Sequence, residues 1–337
     1  MAVYTAIDDP EVYFRILTWS GNGSSDRAIT FDTTDTTMQP DLVWLKNRST
    51  GSTNHALMGT GLNTGEYIRS NDTNAETSGA DVINSIDSNG FEIGSSGAIN
   101  NDSGDNYVAW CWKESTTAGF DIVTYTGNNS NRTISHGLGA ALDYIIVKNR
   151  ATTNQWCIYN RPRGATKFIH LDATDSESTA SSVWNNTEPT SSVFSVGVSA
   201  LTNGSSNSMI AYCFAEKKGY SKFARYTGNG NADGTFIYTG FKPALIIFKR
   251  ADSTGFWRIV DNKRDVDNVA HHFLFANDSS VESTAVGSSQ YDTDILSNGF
   301  KIRTTLASSN ASGGTFIYMA FAENPIVGSN NIPTTAK

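Results

Sequence analysis

The chain has 337 residues, a net charge of −8 and 17% charged residues, where an average soluble domain carries about 25%. No Lys/Arg block stands out, which argues against phosphate-backbone binding and a nucleic-acid partner. No run approaches the ~18 apolar residues of a membrane helix. The opening M-A-V-Y-T-A-I-D-D-P lacks the basic-then-apolar order of a secretory signal, so no membrane partner is expected.

Residues 1–12 form a short N-terminal segment. The chain then runs through four blocks in order, with an S-N-G-F turn between the third and the fourth. F-R-I-L-T-W-S-G-N-G from Phe14 reads as a strand closed by an Asn-Gly turn, two residues that tolerate positive φ. L-V-W-L-K-N-R (42–48) is a short apolar run ended by charge, the pattern of a strand buried on both faces of a sandwich. Y-I-R-S-N-D-T-N-A-E (67–76) is a polar stretch, and the segment around Glu76 is the best helical candidate of the chain. S-N-G-F (88–91) turns into a strand, and Y-V-A-W-C-W-K-E closes the unit at Glu114.

After S-T-T-A-G (115–119) the order returns: F-D-I-V-T-Y-T-G-N-N from Phe120, Y-I-I-V-K-N-R (144–150), F-I-H-L-D-A-T-D-S-E (168–177) and A-Y-C-F-A-E to Glu216. After K-K-G-Y (217–220) it returns again: F-A-R-Y-T-G-N-G from Phe223, L-I-I-F-K-R (245–250), F-L-F-A-N-D-S-S-V-E (273–282), S-N-G-F (297–300) and Y-M-A-F-A-E to Glu323. A period of about a hundred residues is too long for a solenoid and long enough for each unit to bury a core. The expected fold is all-β: three tandem homologous antiparallel β-sandwich domains of jelly-roll or concanavalin-like form, over 13–115, 118–217 and 219–325, with a C-terminal tail at 326–337. Val43, Leu45, Ile145, Val147, Ile246 and Phe248 should fill the cores.

The recurring Lys46, Lys148 and Lys249 read as strand-end charges that snorkel out of the core; the other reading is a basic rim facing an acidic ligand. Arg48 and Arg150 follow two residues on, but Arg250 only one. Glycoside hydrolysis needs two acids about 5–9.5 Å apart. Glu114, Glu216 and Glu323 supply one recurrent acid and Glu76, Glu177 and Glu282 another, but no spacing brings the two together. No catalytic residue is therefore expected.

The oxygen-rich N-D-S-G-D-N (101–106) and D-A-T-D-S-E (172–177) are superficially calcium-like. The first has no acidic equivalent at 203–208 or 311–315 and reads as a solvated hairpin. His271-His272 has no Cys or acidic partner at ligand spacing, and no nucleotide- or metal-binding motif is present, so neither cofactor nor metal is expected. Cys111 and Cys213 are equivalent, apolar-flanked positions, read as buried reduced thiols; a Cys157–Cys213 bridge is open but unsupported.

Trp19, Tyr125 and Tyr226 are equivalent, as are Trp156 and Trp257, with His55 in the first repeat. Recurrence at strand positions favours the core. Trp184, in S-V-W-N-N-T-E-P, has no counterpart and is the best candidate for an exposed ring. Trp184, Trp156 and Trp257 are the candidate glycan or partner contacts.

A-I-D-D-P-E-V-Y-F, the T-G-N-G turn, P-D-L-V-W-L-K-N-R, N-G-F-E-I-G, Y-V-A-W-C-W-K and Y-M-A-F-A-E-N-P together resemble a repeat of unknown function found in virion structural proteins of marine tailed bacteriophages, including cyanophages. The resemblance covers almost the whole chain. It implies a lectin-like sandwich in a tail or tail-fibre protein and brings no catalytic residues. The third repeat departs from it: the Asn of K-N-R is missing and Ala320 replaces the cysteine. The expectation is a non-enzymatic virion protein, assembled in the host cytoplasm. It would act by multivalent contact with other virion proteins and with host surface polysaccharide, as a homo-oligomer. A capsid decoration or cement protein is the alternative, and a glycan depolymerase the third reading.

Overall fold

The computed structural model describes residues 4–32, 36–78, 81–284, 292–330 and 332–334. The fold is all-β. Among the described residues the α-helices are single turns at Ser181–Trp184, Ala200–Asn203 and Ala307–Asn310, and no helix is long and apolar enough to cross a membrane. The segment around Glu76 is not helical. Its backbone bonds outward instead, the Glu76 N–H donating to the Arg150 carbonyl of the next repeat.

Each repeat supplies two antiparallel sheets. In the first, the larger sheet runs Phe14–Ser20, Asn106–Trp112, Leu42–Asn47, Ala56–Gly59, and the smaller Arg27–Thr30, Gly90–Ile93, Ile83–Asp87. The second repeat repeats the larger order with Phe120–Thr126, Ser208–Phe214, Tyr144–Asn149 and Cys157–Asn160, and adds Lys167–His170 and Ser178–Thr179. The third does the same with Ser221–Thr227, Thr315–Pro325, Phe241–Arg250, Arg258–Asp261, His272–Phe275 and Ser283–Thr284. First and last strands of a repeat pair directly, so each unit closes on itself: Phe14 lies opposite Trp112 and Phe120 opposite Phe214. In the third repeat Ser221 takes that place, opposite Phe321, and the ring moves two residues on, to Phe223.

Side chains on a strand alternate between its faces. In the middle strand of each larger sheet the two faces enter two different cores. Val43 and Leu45, Ile145 and Val147, and Ile246 and Phe248 are all buried, as expected, in apolar clusters between the two sheets of their own repeat. Their neighbours Leu42 and Trp44, Tyr144 and Ile146, and Leu245 and Ile247 lie together in a fourth cluster, drawn from all three repeats. The second face of these strands is thus covered by other repeats and not by a second sheet of the same one. A two-layer sandwich standing alone leaves one face of each sheet in water, so a strand apolar on both sides calls for a third layer.

Aromatic rings gather where the three larger sheets meet. Phe321 packs on Phe14 and Trp112 of the first repeat at 5.2 and 5.5 Å between ring centroids, on Phe214 of the second at 5.8 Å, and on Phe223 of its own at 5.9 Å. The N-terminal segment also reaches this cluster through Ile7. It is tied to the C-terminal tail, where the Ser329 backbone N–H donates to Asp8 at 2.5 Å. Cys111, Cys157 and Cys213 are buried and unbridged.

Candidate functional site

The recurring polar residues meet along three equivalent seams, which close a ring of repeats. Lys148 Nζ donates to the Thr73 carbonyl of the first repeat at 2.9 Å. Lys249 Nζ donates to Thr174 O of the second at 2.8 Å, and Lys46 Nζ to Ser279 O of the third at 3.2 Å. Each lysine also donates to a loop of its own repeat, at Thr53 O, Asn154 O and Gly255 O. The lysines therefore do not snorkel outward and form no basic rim, for all three are fully buried. They stand on the shared-core face of their strands, and each bridges a backbone carbonyl of its own repeat and one of the neighbouring repeat.

The seams share two further contacts. Trp156 Nε1 donates to Arg69 O and Trp257 Nε1 to His170 O, each at 2.7 Å. In the first repeat His55 takes the place of the indole. Trp44 Nε1 can only donate and lies 2.9 Å from His55 Nδ1, so Nδ1 accepts. His55 Nε2 then carries the proton and donates to Phe275 O at 3.0 Å. Burial, helped by the Lys46 charge, holds the His55 pKa well below its usual range and keeps the ring neutral.

The second contact is an ion pair. Arg150 meets Glu76 at 2.5 Å and Arg48 meets Glu282 at 2.7 Å. Ala251 stands where the third arginine would be, because that repeat lacks one residue of K-N-R. Glu177 still donates its backbone N–H to Ala251 O, but its carboxylate turns to Arg163 and Lys167 of its own repeat. The recurrent carboxylates therefore have structural partners. Glu76, Glu177 and Glu282 lie along the seams, while Glu114 accepts the Ile122 N–H and Glu216 accepts the Phe223 N–H at the start of the following repeat.

The three candidate tryptophans are all buried. Trp156 and Trp257 are seam residues, and Trp184 is 2% exposed, packed edge-to-face on Tyr159 at 6.0 Å. The lack of a counterpart for Trp184 reflects a single-turn helix that covers the second repeat's own core, not an exposed ring. The polar hairpin at 101–106 is likewise anchored: Asn101 is buried and exchanges hydrogen bonds with Asn22 of the S-G-N-G turn. Asn203 does so with Asn128, and Asn310 with Asn229. The recurrence of Asn at these three positions was the available signal for that role.

His271 and His272 do find acidic partners, Asp292 at 2.9 Å and Asp265 at 2.6 Å. Asp292 is 21 residues away and Asp265 seven, neither at a metal-ligand spacing, so spacing did not show them. Among the described residues no three His, Cys, Asp or Glu side chains gather as metal ligands.

Burial lowers the pKa of Lys46, Lys148 and Lys249 to about 8. Below pH 8 folded and unfolded chains both hold these protons. Between about 8 and 10.5 the unfolded chain holds more of them, so stability rises with pH across that window. The buried thiols oppose this above their ordinary value of about 9, because burial raises all three in the fold. The denaturant midpoint should therefore rise from pH 8 to 9. In Lys148→Met the rise should be shallower. The variant should also be about 1–3 kcal/mol less stable at pH 7, because Asn154 O loses its donor inside the protein. An unchanged pH slope in the variant would show that Lys148 does not titrate there.

With the recurring polar groups turned inward, the outer faces carry what differs between repeats. The outermost strand of the smaller sheet has Ala28 and Thr30 facing solvent in the first repeat, and Thr133 and Ser135 in the second. The third has Phe236 and Tyr238, 44% and 55% exposed. The rings gave no signal in the sequence because the feature that recurs in this strand is its buried isoleucine, Ile29, Ile134 and Ile237, and not the outward positions.

No curated protein and no solved structure matches this chain. Residues 9–325 match the family described as Domain of unknown function (DUF7483), and the chain belongs to that family.

Proposed function

We propose that the chain is three copies of one antiparallel sandwich of jelly-roll or concanavalin-like form, over 13–115, 118–217 and 219–325, fused into one rigid block. We read this block as a non-enzymatic structural and attachment protein of a bacteriophage particle, placed in the tail or a tail fibre. The observation that carries the reading is where the recurring chemistry goes. Buried lysines, indoles and arginine–glutamate pairs are engaged in joining one repeat to the next, which suits a rigid structural part. The placement in a phage tail rests on the resemblance of the repeated strings to virion proteins of marine tailed phages.

The aromatic pair of the third repeat adds an attachment face to this block. Only one repeat carries it, so avidity would come from self-association of the chain and not from three equal sites on one chain. Linked sites gain about 10²–10⁴-fold without new contacts when geometry lets them engage together. The test is binding of the full chain to host cells, together with its position in virion density. Density on the capsid, with no cell binding, would replace the tail assignment by capsid decoration.

A further inference from the structure

We propose that the solvent face of the third repeat's smaller sheet is a carbohydrate-binding platform for a neutral chain of β-linked pyranose units, an assignment that rests on the attachment reading above. The face is built from Phe236–Tyr238, Gly299–Ile302 and Thr293–Leu296. The register sets Tyr238 beside Gly299 and Leu296, and Phe236 beside Lys301 and Asp294. The matching rows of the first repeat are Thr30, Gly90, Asp87 and Ala28, Glu92, Ser85. The backbone plan is shared, and the rings are peculiar to the third copy.

The exposure of the rings is not a failure of packing. Ile237, between them, is buried in the third repeat's core with Phe300, Ile302 and Ile295. The strand alternates in the normal way, and its outward positions carry aromatics. Tyr238 is also braced: Tyr4 Oη donates to Gly240 O at 2.7 Å and stands 3.5 Å from Tyr238 Oη, while the Lys218 ammonium lies 4.3 Å over the Tyr4 ring. Gly299 has no side chain because a Cβ there would come 2.0 Å from Ile237 O. The edge of the Phe236 ring lies over the same glycine, 3.2 Å from where that Cβ would stand.

The backbone positions of two rings on alternate residues of a strand lie about 6.6–6.8 Å apart along it. Their faces are apolar with a negative quadrupole, suited to the C–H face of a pyranose. The charges beside Phe236 cancel. Asp233 pairs with Lys301 at 2.5 Å and Arg303 at 3.4 Å, and Arg303 reaches Asp294 at 3.6 Å. These two cations and two anions balance, and the cation at the Tyr238 end, Lys218, is engaged with the Tyr4 ring, so the face selects no strongly ionic ligand yet offers donors and acceptors to hydroxyls. A protein partner would need about 800 Å² of complementary surface, more than two rings supply. The strand is outermost in its sheet, so a chain can lie along it without a neighbouring strand on its outer side.

The test is titration of the full chain with cellohexaose and with chitohexaose. Binding at one site is expected, weakened at least tenfold in the Phe236→Ala, Tyr238→Ala double variant. Its melting temperature should stay near wild type, because both side chains are exposed. The converse variant, Ala28→Phe with Thr30→Tyr, should raise the stoichiometry from one to two. Absence of binding by the wild-type chain, or unchanged binding by the alanine variant, overturns the platform. Host-cell binding without oligosaccharide binding also removes the platform but leaves the attachment reading. Oligosaccharide binding without association with cells or the tail removes the attachment reading and keeps the platform.

Discussion

Residues 118–217, expressed alone, are expected not to fold as a monomer. A repeat of this length holds a core of its own between its two sheets. It would, however, expose the opposite face of its larger sheet: Phe120, Tyr144, Ile146, Trp156, Tyr212 and Phe214, all buried in the shared cluster of the intact chain. Each such side chain contributes about 1.5–3 kcal/mol when buried. A whole domain is stable by only about 5–15 kcal/mol, so losing that face removes an amount of the same order. The fragment carries both halves of a seam, donors at Lys148 and Trp156 and acceptors at His170 and Thr174. Any ordered form should therefore be self-associated, and concentration-dependent ellipticity with sedimentation would show it. A cooperatively folded monomer would make the repeats independent domains and the shared cluster a mere contact.

Phe321→Ala should lower the stability of the whole chain by about 3–5 kcal/mol, the usual range for removing a buried phenylalanine from a site that cannot collapse. The ring touches aromatics of all three repeats, so the cavity would open where no single sheet can close it. Aromatic pairs add about 0.5–1.5 kcal/mol each beyond area burial, which puts the loss toward the upper end. The readout is chemical denaturation followed separately by tryptophan fluorescence and by far-ultraviolet ellipticity. Both signals should shift together, since the repeats melt as one unit. A shift confined to one part of the signal would mean that the third repeat unfolds by itself.

The all-β character was legible because it is written locally. Short runs such as Y-I-I-V-K and turns such as S-N-G-F state their strand and their reversal within a few residues, and the buried alternation of Val43, Leu45, Ile145 and Val147 follows from strand geometry alone. The repeat was legible for the same reason, since block order is a property of the string.

The partners of the recurring polar residues were not legible. Lys148 meets Thr73, and Trp156 meets Arg69, across seams that exist only once three sheets have turned their second faces toward one another. A strand-end lysine in an isolated sandwich snorkels to water; the same lysine at a seam is fully buried and meets carbonyls instead. Trp184 and Phe236 show the converse. One looked exposed for want of a counterpart and is core, because a single helical turn folds it inward. The other looked unremarkable and stands in solvent, because the outermost strand of a sheet has a face that nothing covers. By itself the sequence determined that the chain is built of strands and that the unit recurs. Only the tertiary structure decided which face each polar or aromatic side chain meets, because burial depends on the packing of distant segments and not on the neighbours along the chain.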